Sequence, residues 1–370
     1  MRVLQILPNL RKGGAERLVL DICIALKKIN IETVLVTFSD INEYPDLTKQ
    51  INWKQIKSTF IPSISGKSNA NIAELEAFIC EFKPTIIHSH LWEAEIVSRQ
   101  ISYPKAKWFS HFHDNMPQLQ KGFPFSKKQL TNVYERRLML RKYKNCKNNF
   151  ICIGNDTYNY AKYVLPKHSF KKISILNNAI DYSRFVIAKK EISKELNLIN
   201  VGSLVNKKNQ KFLLDVMVHL KKQIGHVHLS VLGSGPNRGF LKNTLETLHL
   251  ERDVVFHGNV DKVEDYLWKS TIYVHSATYE PFGLVLLEAM AAGLPVVTLD
   301  GRGNRDIIEQ GKNGYMIFEE DAELFASKIL EIWQNKKRYN IMSQYAINYA
   351  KQYDIKQYVI KLLSLYRFKL

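Results

Sequence analysis

Short runs of apolar residues alternate along the chain with segments in which apolar residues recur every three or four positions. The first run covers residues 3–7 and is followed by a polar loop over residues 8–14. The next apolar positions have helical spacing: Leu18, Ile22, Leu26 and Ile29. This spacing predicts a helix over residues 15–30 with one buried face, and residues 32–38 have the pattern of the next strand.

The alternation continues through two halves of the chain. In the first half, further strands are predicted at residues 85–88, 108–111 and 150–153. In the second half, residues 210–224 have the pattern of a helix, and strands are predicted at 199–204, 228–232, 254–257, 271–275 and 295–299. Strands separated by helical segments are typical of parallel sheets. The pattern predicts an α/β fold with two doubly wound, Rossmann-like sheets in tandem.

The 370 residues are enough for two domains, and the break is predicted in the charged stretch 187–197, which has no strand pattern. We assign residues 1–186 to the first domain and residues 187–350 to the second. Residues 351–370 contain apolar positions with helical spacing, and we expect this C-terminal helix to pack back on the first domain. Ligands of doubly wound sheets bind outside the carboxyl ends of the strands, so two such domains facing each other would form a binding cleft.

Composition narrows the class of protein. Hydrophobic residues make up 45% and charged residues 24% of the chain, which is typical of a globular protein and excludes a disordered, collagen-like or coiled-coil chain. The four cysteines are scattered without a Cys-x-x-Cys pair, so we expect neither a disulfide framework nor a zinc site. No apolar run reaches the roughly 20 residues that a membrane-spanning helix needs. We therefore expect a cytoplasmic protein.

The charge balance is strongly basic, because 53 lysines and arginines against 35 acidic residues give a net charge of +18. Such an excess favours phosphates, an anionic membrane surface or nucleic acid as partners. Half of it, +9, lies between residues 105 and 147, where residues 129–148 have the pattern of a basic amphipathic helix. This segment predicts docking on an anionic membrane or a phosphate-bearing acceptor, with a solvated helix face as the alternative. The predicted contact residues are Phe123, Phe125, Arg136, Arg137, Arg141 and Lys144.

One segment after the strand at 271–275 combines carboxylates with a glycine at a helix start. Its sequence is EPFGLVLLEAMAAGLP, which begins at Glu280 and contains Glu288. A helix that starts near Gly283 offers free backbone N–H groups to a phosphate. The two carboxylates can accept hydrogen bonds from the hydroxyls of a sugar and a ribose. The alternative is a solvent-facing Glu280 and a helix in which Glu288 is merely paired.

This segment resembles the nucleotide-binding signature of the retaining glycosyltransferases of family four, which have the two-domain GT-B fold. Four further matches follow the family's order along nearly the whole chain. They are Gly13-Gly14-Ala15-Glu16-Arg17, Val201-Gly202-Ser203-Leu204 with Lys207-Lys208-Asn209, Leu232-Gly233-Ser234-Gly235-Pro236, and Asn313-Gly314. One such motif is a weak signal, whereas five in register are specific.

The resemblance implies a role for each matched residue. The glycines Gly13 and Gly14 would contact the diphosphate and sugar of the donor, with a simple tight turn as the alternative. Lys208 takes the position of the lysine that faces the diphosphate, with Lys207 as the second choice, and Gly233 would lie in a further donor-binding turn. In the segment described above, Glu280 would be a catalytic residue that holds sugar hydroxyls. The remaining donor-binding residues would be Phe282, Gly283, Leu284 and Glu288.

One position departs from the family pattern. The family often has an arginine where this chain has Ser203. The change removes one of two expected cations at the diphosphate. Either Lys208 balances more of the charge, or another basic residue such as Arg302 or Arg305 reaches the site.

Histidines cluster at the ends of two predicted strands. They are His88, His90, His111 and His113. Four imidazoles at strand ends suit a metal site, and local hydrogen bonding is a second interpretation. The resemblance implies a third, in which His113 is the active-site histidine that contacts the sugar near the reacting carbon, with His111 as the second choice. Because the chain has no Asp-x-Asp pair, we expect no metal and no cofactor beyond the sugar donor.

The resemblance implies transfer of a sugar, with retention, from a nucleotide-diphosphate donor such as a UDP-sugar to a glycan or lipid-linked glycan. We expect a role in making a capsule, O-antigen or exopolysaccharide, at the inner face of the membrane. A GT-B epimerase or phosphorylase is an alternative. A basic nucleic-acid-binding protein is disfavoured because no base-reading module is visible. A dehydrogenase is disfavoured because Gly233 opens a GxGxxxG rather than a GxGxxG spacing.

Overall fold

A computed structural model describes residues 1–63, 68–121, 127–187, 190 and 193–367. The chain divides into two compact units. The first unit comprises Met1–Ala179 and Ile355–Leu370, and the second comprises Ile180–Asp354. Each unit has a parallel sheet with helices between its strands, so the predicted fold class of two Rossmann-like domains is confirmed.

The first unit is built on a seven-stranded parallel sheet with the order β3-β2-β1-β6-β7-β8-β9. Its strands are Arg2–Leu7 (β1), Glu32–Thr37 (β2), Trp53–Gln55 (β3), Ile86–His90 (β6), Lys107–Phe112 (β7), Asn149–Cys152 (β8) and Ile173–Ile175 (β9). Two short strands, Thr59–Ile61 (β4) and Asn69–Asn71 (β5), form a separate antiparallel pair. The interior strand β1 is buried from Val3 to Leu7 because helices cover both faces of the sheet.

The helices of the first unit include one from the far end of the sequence. They are Gly14–Lys28 (α1), Pro45–Thr48 (α2), Ala73–Phe82 (α3), Trp92–Ser98 (α4), Lys127–Asn145 (α5), Asn155–Val164 (α6) and Ile355–Arg367, which is α14 by chain order. Helix α14 buries Tyr358, Leu362 and Tyr366 in a cluster with Leu18 and Ile22 of α1. The terminal helix therefore completes one face of the first sheet.

The second unit is built on a six-stranded parallel sheet with the order β12-β11-β10-β13-β14-β15. Its strands are Leu196–Val201 (β10), Val227–Leu232 (β11), Val254–Gly258 (β12), Ile272–His275 (β13), Val296–Leu299 (β14) and Gly314–Ile317 (β15). Its helices are Tyr182–Phe185 (α7), Gln210–Ile224 (α8), Arg238–Thr247 (α9), Val263–Lys269 (α10), Leu284–Ala291 (α11), Ala322–Trp333 (α12) and Lys336–Ala350 (α13). The strand order reverses between β10 and β13, which is the switch point at which such sheets bind ligands.

Strand β10 differs from its prediction. It covers Leu196–Val201, three residues before the predicted 199–204, so the predicted linker 187–197 overlaps its first two residues. The strand ends early because the chain turns at Gly202 and Leu204, whose N–H groups bond to Leu232 and Ser234 at the end of the neighbouring strand. The apolar Leu204 is buried in this turn and extends the apparent strand pattern.

Candidate active site

The loops after β10 and β13 meet at the switch point of the second sheet. The hydroxyl of Ser276, just after β13, donates to the carbonyl of Lys208 at 2.8 Å. The N–H of Thr278 donates to the carbonyl of Lys207 at 3.0 Å. These bonds hold the short 3₁₀ helix Asn206–Lys208 against the chain that leads to Glu280. Two residues that are 72 positions apart, Lys208 and Glu280, are thereby brought together.

The centre of this site is a partly buried ion pair beside a histidine. Nζ of Lys208 lies 2.5 Å from Oε2 of Glu280, and Nε2 of His275 lies 3.2 Å from the same oxygen. Burial alone would raise the pKa of Glu280, but the charge of Lys208 and the neighbouring His275 outweigh it and hold this pKa well below its usual range. Burial lowers the pKa of His275, so this imidazole is neutral at pH 7. The site thus holds one carboxylate, one ammonium and one neutral imidazole.

The backbone around Glu280 is held by the loop that follows β14. The N–H of Glu280 donates to the carbonyl of Gly301, and the N–H of Gly303 donates to the carbonyl of Glu280. A Cβ on Gly303 would lie 2.0 Å from the carbonyl oxygen of Pro281, so only glycine allows this approach. The position of the Glu280 carboxylate is therefore fixed by main-chain contacts on both sides.

Helix α11 begins at Leu284, shortly after Glu280, and Gly283 is its N-cap. Gly283 has a φ of 102°, in the left-handed region that favours glycine. The first N–H groups of a helix have no partner inside it and can bind an anion. The side chain of Phe282 is buried and packs near the ring of Tyr353 at 6.0 Å between centroids, so Phe282 can offer only its backbone. Glu288 is half-buried one turn after Leu284.

The other matched residues of the second unit have structural partners. Gly233 has a φ of 126°, and a Cβ there would lie 2.1 Å from the carbonyl oxygen of Gly202. This glycine lets the loops after β10 and β11 approach each other. Ser203 stands where the family often has an arginine, and Arg302 and Arg305 were considered as substitutes for that cation. Of these two, Arg305 forms an ion pair with Asp300. Lys208 is the cation that contacts Glu280.

In the first unit, Gly13 and Gly14 lie between β1 and α1. Gly13 precedes the helix as its cap, and its N–H donates to the hydroxyl of Tyr44 at 3.0 Å. A Cβ on Gly13 would lie 2.3 Å from a carboxylate oxygen of Glu16. Gly14 is the first residue of α1, one position earlier than the predicted helix start. The glycine loop thus contacts Tyr44 and lies beyond the carboxyl end of β1.

The four histidines form an array on one face of the first sheet. His90 on β6 is in register with His111 on β7, and alternate residues of a strand share a face. Burial lowers the pKa of all four imidazoles, that of His113 to about 3, so they are neutral. His113 is 8% exposed whereas His111 is fully buried, so His113 is the more accessible of the two candidates.

Ring nitrogens of His88, His90 and His111 lie within 4.8 Å of one another, which is the geometry considered for a metal ion. Both nitrogens of His90 already have partners, however. Its Nδ1 lies 2.9 Å from Nε2 of His113, and its Nε2 lies 2.7 Å from Oε1 of Gln5. For His90, the structure therefore favours local hydrogen bonding over metal binding.

Three residues of these clusters were missed in the sequence. Gln5 and Tyr366 contact the histidine array, and His275 contacts Glu280. A buried glutamine inside the apolar strand β1 was the available signal for Gln5. His275 was visible only as the last residue of a strand, and Tyr366 was counted as one of the apolar residues of the terminal helix.

The basic helix α5 begins two residues before the predicted start and ends at Asn145. Arg137, Arg141 and Lys144 are exposed, and their spacing places them on one face of the helix. Arg136 points elsewhere, because its guanidinium donates to the carbonyls of Leu119 and Val164. The predicted contact residues Phe123 and Phe125 lie outside the described residues. Among the helices that the structure describes, none is long and apolar enough to cross a membrane.

Two known protein families match this chain, one in each part. Residues 12–184 match the family described as Glycosyltransferase Family 4, and residues 183–349 match the family described as Glycosyl transferases group 1. Each match covers just under half of the chain, and together they extend over most of it. The two parts of the chain are thus each similar to a glycosyltransferase family.

Two proteins similar to this chain are glycosyltransferases by name. The chain is 26% identical over 168 residues to the poly(glycerol-phosphate) alpha-glucosyltransferase of Bacillus subtilis, covering 45% of this chain and 25% of the relative. It is 28% identical over 229 residues to the lipopolysaccharide core biosynthesis glycosyltransferase LpsE of Rhizobium meliloti, covering 61% and 64%. The chain thus matches less than two thirds of the length of either relative.

A solved structure extends the likeness in fold to the whole chain. HepE of Anabaena, in complex with UDP and glucose, has a TM-score of 0.78 over 98% of this chain and 99% of its own. The sequence identity is 19%, so this comparison shows the fold.

Proposed function

We propose that the chain is a retaining glycosyltransferase that moves a sugar from a UDP-sugar to a glycan or lipid-linked glycan during synthesis of a surface polysaccharide. The observation that carries the proposal is the ion pair between Lys208 and Glu280. It lies at the switch point of the second sheet, directly before the N-terminus of α11. The names of the two bacterial relatives and the UDP in the structural relative support the donor and acceptor classes.

The second unit binds the donor in this proposal. Lys208 and the N–H groups of Phe282, Gly283 and Leu284 face the diphosphate, where negative charge develops as the sugar leaves. Oε2 of Glu280 pairs with Lys208, and Oε1 accepts a hydrogen bond from a sugar hydroxyl. Glu288 accepts hydrogen bonds from the ribose.

The first unit contributes the glycine loop and a histidine. The backbone at Gly13 and Gly14 approaches the donor, and His113 contacts the sugar near the reacting carbon. Attack by the acceptor occurs on the face from which the diphosphate leaves, and an oxygen of the departing phosphate takes the acceptor proton. The anomeric configuration is retained.

No divalent metal takes part in this proposal. A lysine charge and a helix N-terminus can balance the diphosphate in place of a metal ion. Lys208 supplies the charge and α11 supplies the N–H groups. The absence of an Asp-x-Asp pair from the sequence supports this assignment.

The acceptor is proposed to lie at an anionic membrane surface on the inner side of the membrane. The exposed face of α5 with Arg137, Arg141 and Lys144 supports this proposal, and each basic residue near such a surface contributes about 1 kcal/mol. Arg136 is no longer part of the proposed contact because it bonds to main-chain carbonyls.

The donor assignment is tested by thermal unfolding in the presence of UDP, UDP-sugars and the corresponding adenine and guanine nucleotides. A ligand present at 100 times its dissociation constant adds about 2.7 kcal/mol to the free energy of unfolding. We expect stabilisation by UDP in the wild type and a smaller shift in Glu288→Gln. Equal shifts in both proteins, or none with any nucleotide, contradict the proposal. Release of a changed sugar nucleotide without an acceptor would instead indicate an epimerase.

A further inference from the structure

Gln5 is a fully buried amide in the centre of the apolar strand β1. A buried amide is costly unless its oxygen and its nitrogen are both hydrogen bonded. Its Oε1 lies 2.7 Å from Nε2 of His90, and its Nε2 donates to the hydroxyl of Tyr366 at 3.2 Å. Gln5 is in register with His88, so its side chain is on the same face of the sheet as the histidine array.

The contacts of Gln5 determine which nitrogen of His90 carries a hydrogen. An amide oxygen only accepts hydrogen bonds, so the hydrogen of His90 is on Nε2. Burial lowers the pKa of His90, and a neutral imidazole carries one hydrogen. Nδ1 of His90 is therefore an acceptor.

The same reasoning extends to His113. Its Nε2 lies 2.9 Å from the accepting Nδ1 of His90 and must donate to it. Because burial also keeps His113 neutral, its Nδ1 carries no hydrogen. This buried Nδ1 has no hydrogen-bond partner among the residues that the structure describes.

We propose that Gln5 is a positioning residue which, acting through His90, sets the tautomer of His113 so that its bare Nδ1 accepts a hydrogen bond from a hydroxyl of the donor sugar. This inference rests on the proposed function, in which His113 contacts the sugar. The hydroxyl of Tyr366 accepts the hydrogen bond of the amide nitrogen, so the C-terminal helix takes part in the arrangement. If the amide of Gln5 were reversed, its nitrogen would donate to Nε2 of His90, and both histidines would carry their hydrogen on Nδ1. Nδ1 of His113 would then be a donor instead of an acceptor.

The first test reads the tautomers in the unsubstituted relay, which is formed by Gln5, His90 and His113, and uses variants only to assign signals. Wild-type protein with ¹⁵N-labelled histidine is measured by NMR without ligand, and signals are assigned by comparison with His90→Gln and His113→Gln. The nitrogen shifts distinguish a protonated from a bare ring nitrogen. We expect both His90 and His113 to carry hydrogen on Nε2. Hydrogen on Nδ1 of His113 overturns the proposal, because the relay then runs in the opposite direction.

The second test changes only the amide. Gln5→Glu keeps an accepting oxygen toward His90, so it should lose less turnover than a variant without an acceptor. Gln5→Met keeps the size and removes the acceptor, so His113 should gain hydrogen on Nδ1. We expect kcat to fall about threefold to tenfold while UDP affinity is unchanged. Gln100→Met is the control, because its amide nitrogen donates to the carbonyl of Ile96 in a local helical contact.

The outcomes separate this inference from the proposed function. Unchanged kcat in a folded Gln5→Met that binds UDP normally overturns the positioning role. The positioning role is also overturned if Gln5→Glu loses as much turnover as Gln5→Met, because the accepting oxygen then has no effect. If the wild type transfers no sugar, the proposed function fails, while the NMR measurement still decides the tautomer. If Gln5→Met does not fold, the wild-type spectrum and the Gln5→Glu variant decide.

Discussion

Replacing Glu280 by Gln removes one negative charge from the centre of the site and keeps the size of the side chain. The carboxylate is 2.5 Å from Lys208, and the two side chains are only 11% and 17% exposed. Breaking a buried pair on one side leaves the partner charge uncompensated and costs about 3–5 kcal/mol. We expect a loss of about 3 kcal/mol in the free energy of unfolding, the low end, because both side chains keep some contact with water.

The effect on catalysis is expected to differ from the effect on binding. A hydrogen bond to a charged group contributes about 1.5–3 kcal/mol, which corresponds to about tenfold to 150-fold in rate. We expect Glu280→Gln to lower kcat with the sugar donor by this factor. The affinity for UDP should be retained, because Lys208 remains available to the diphosphate. Glu288→Gln should do the opposite and weaken UDP binding about tenfold or more.

The assay combines calorimetric titration of UDP with initial rates of donor consumption, at a temperature where each variant is fully folded by circular dichroism. Asp215→Asn is the matched control, since it removes a carboxylate from an exposed ion pair with Lys211 in the same unit. This control should change neither stability nor rate appreciably. Wild-type kcat in folded Glu280→Gln, or unchanged UDP affinity in Glu288→Gln, refutes the assigned roles.

Four further predictions concern other parts of the molecule. Turnover should persist in EDTA and should not rise with added Mn²⁺ or Mg²⁺, and a metal-dependent rate contradicts the role given to Lys208. His113→Ala should lower kcat strongly with little change in UDP affinity, and the same effect from His111→Ala alone means that the choice between them is wrong. Burial lowers the pKa of His113 from 6.5 to about 3, so between these values the unfolded chain binds more protons than the folded one. The free energy of unfolding should therefore fall by about 1.4 kcal/mol per pH unit for this histidine as the pH drops below about 6.5. Urea midpoints at neutral and mildly acidic pH check this prediction. Changing Arg137, Arg141 and Lys144 to Gln should weaken binding to anionic vesicles by about 3 kcal/mol in low salt. The control changes the exposed Lys222, Lys242 and Lys269 to Gln and should leave this binding unchanged. Equal co-sedimentation of the two variants contradicts membrane docking through α5.

Local patterns accounted for most of the fold because each element buries one face or both. Helix α8 covers Gln210–Ile224 as predicted, since its apolar positions follow a helical period without interruption. Strand β10 was misplaced because the buried Leu204 continues an apolar run past the turn at Gly202. The strands β3 and β9 are only three residues long, which is too short for a pattern to show.

The candidate site was predictable where its residues are contiguous in the sequence, as in the segment that starts at Glu280. Contacts between distant residues were not predictable. Lys208 approaches Glu280 only because the parallel strands β10 and β13 end at the same edge of the sheet. Arg136 was assigned to the basic face of α5 since spacing alone does not reveal that its guanidinium bonds to Leu119 and Val164.

The central claim is retaining transfer from a UDP-sugar, and the anomeric configuration of the product tests it most directly. The protein is incubated with the UDP-sugar that stabilises it and with a lipid-linked or soluble glycan acceptor, and the new glycosidic bond is examined by NMR through its anomeric coupling. With an α-linked donor, the account predicts an α-linked product in the wild type and a greatly reduced amount with Glu280→Gln. A β-linked product contradicts retention, and consumption of the donor without transfer to any glycan contradicts the proposed glycosyltransferase activity.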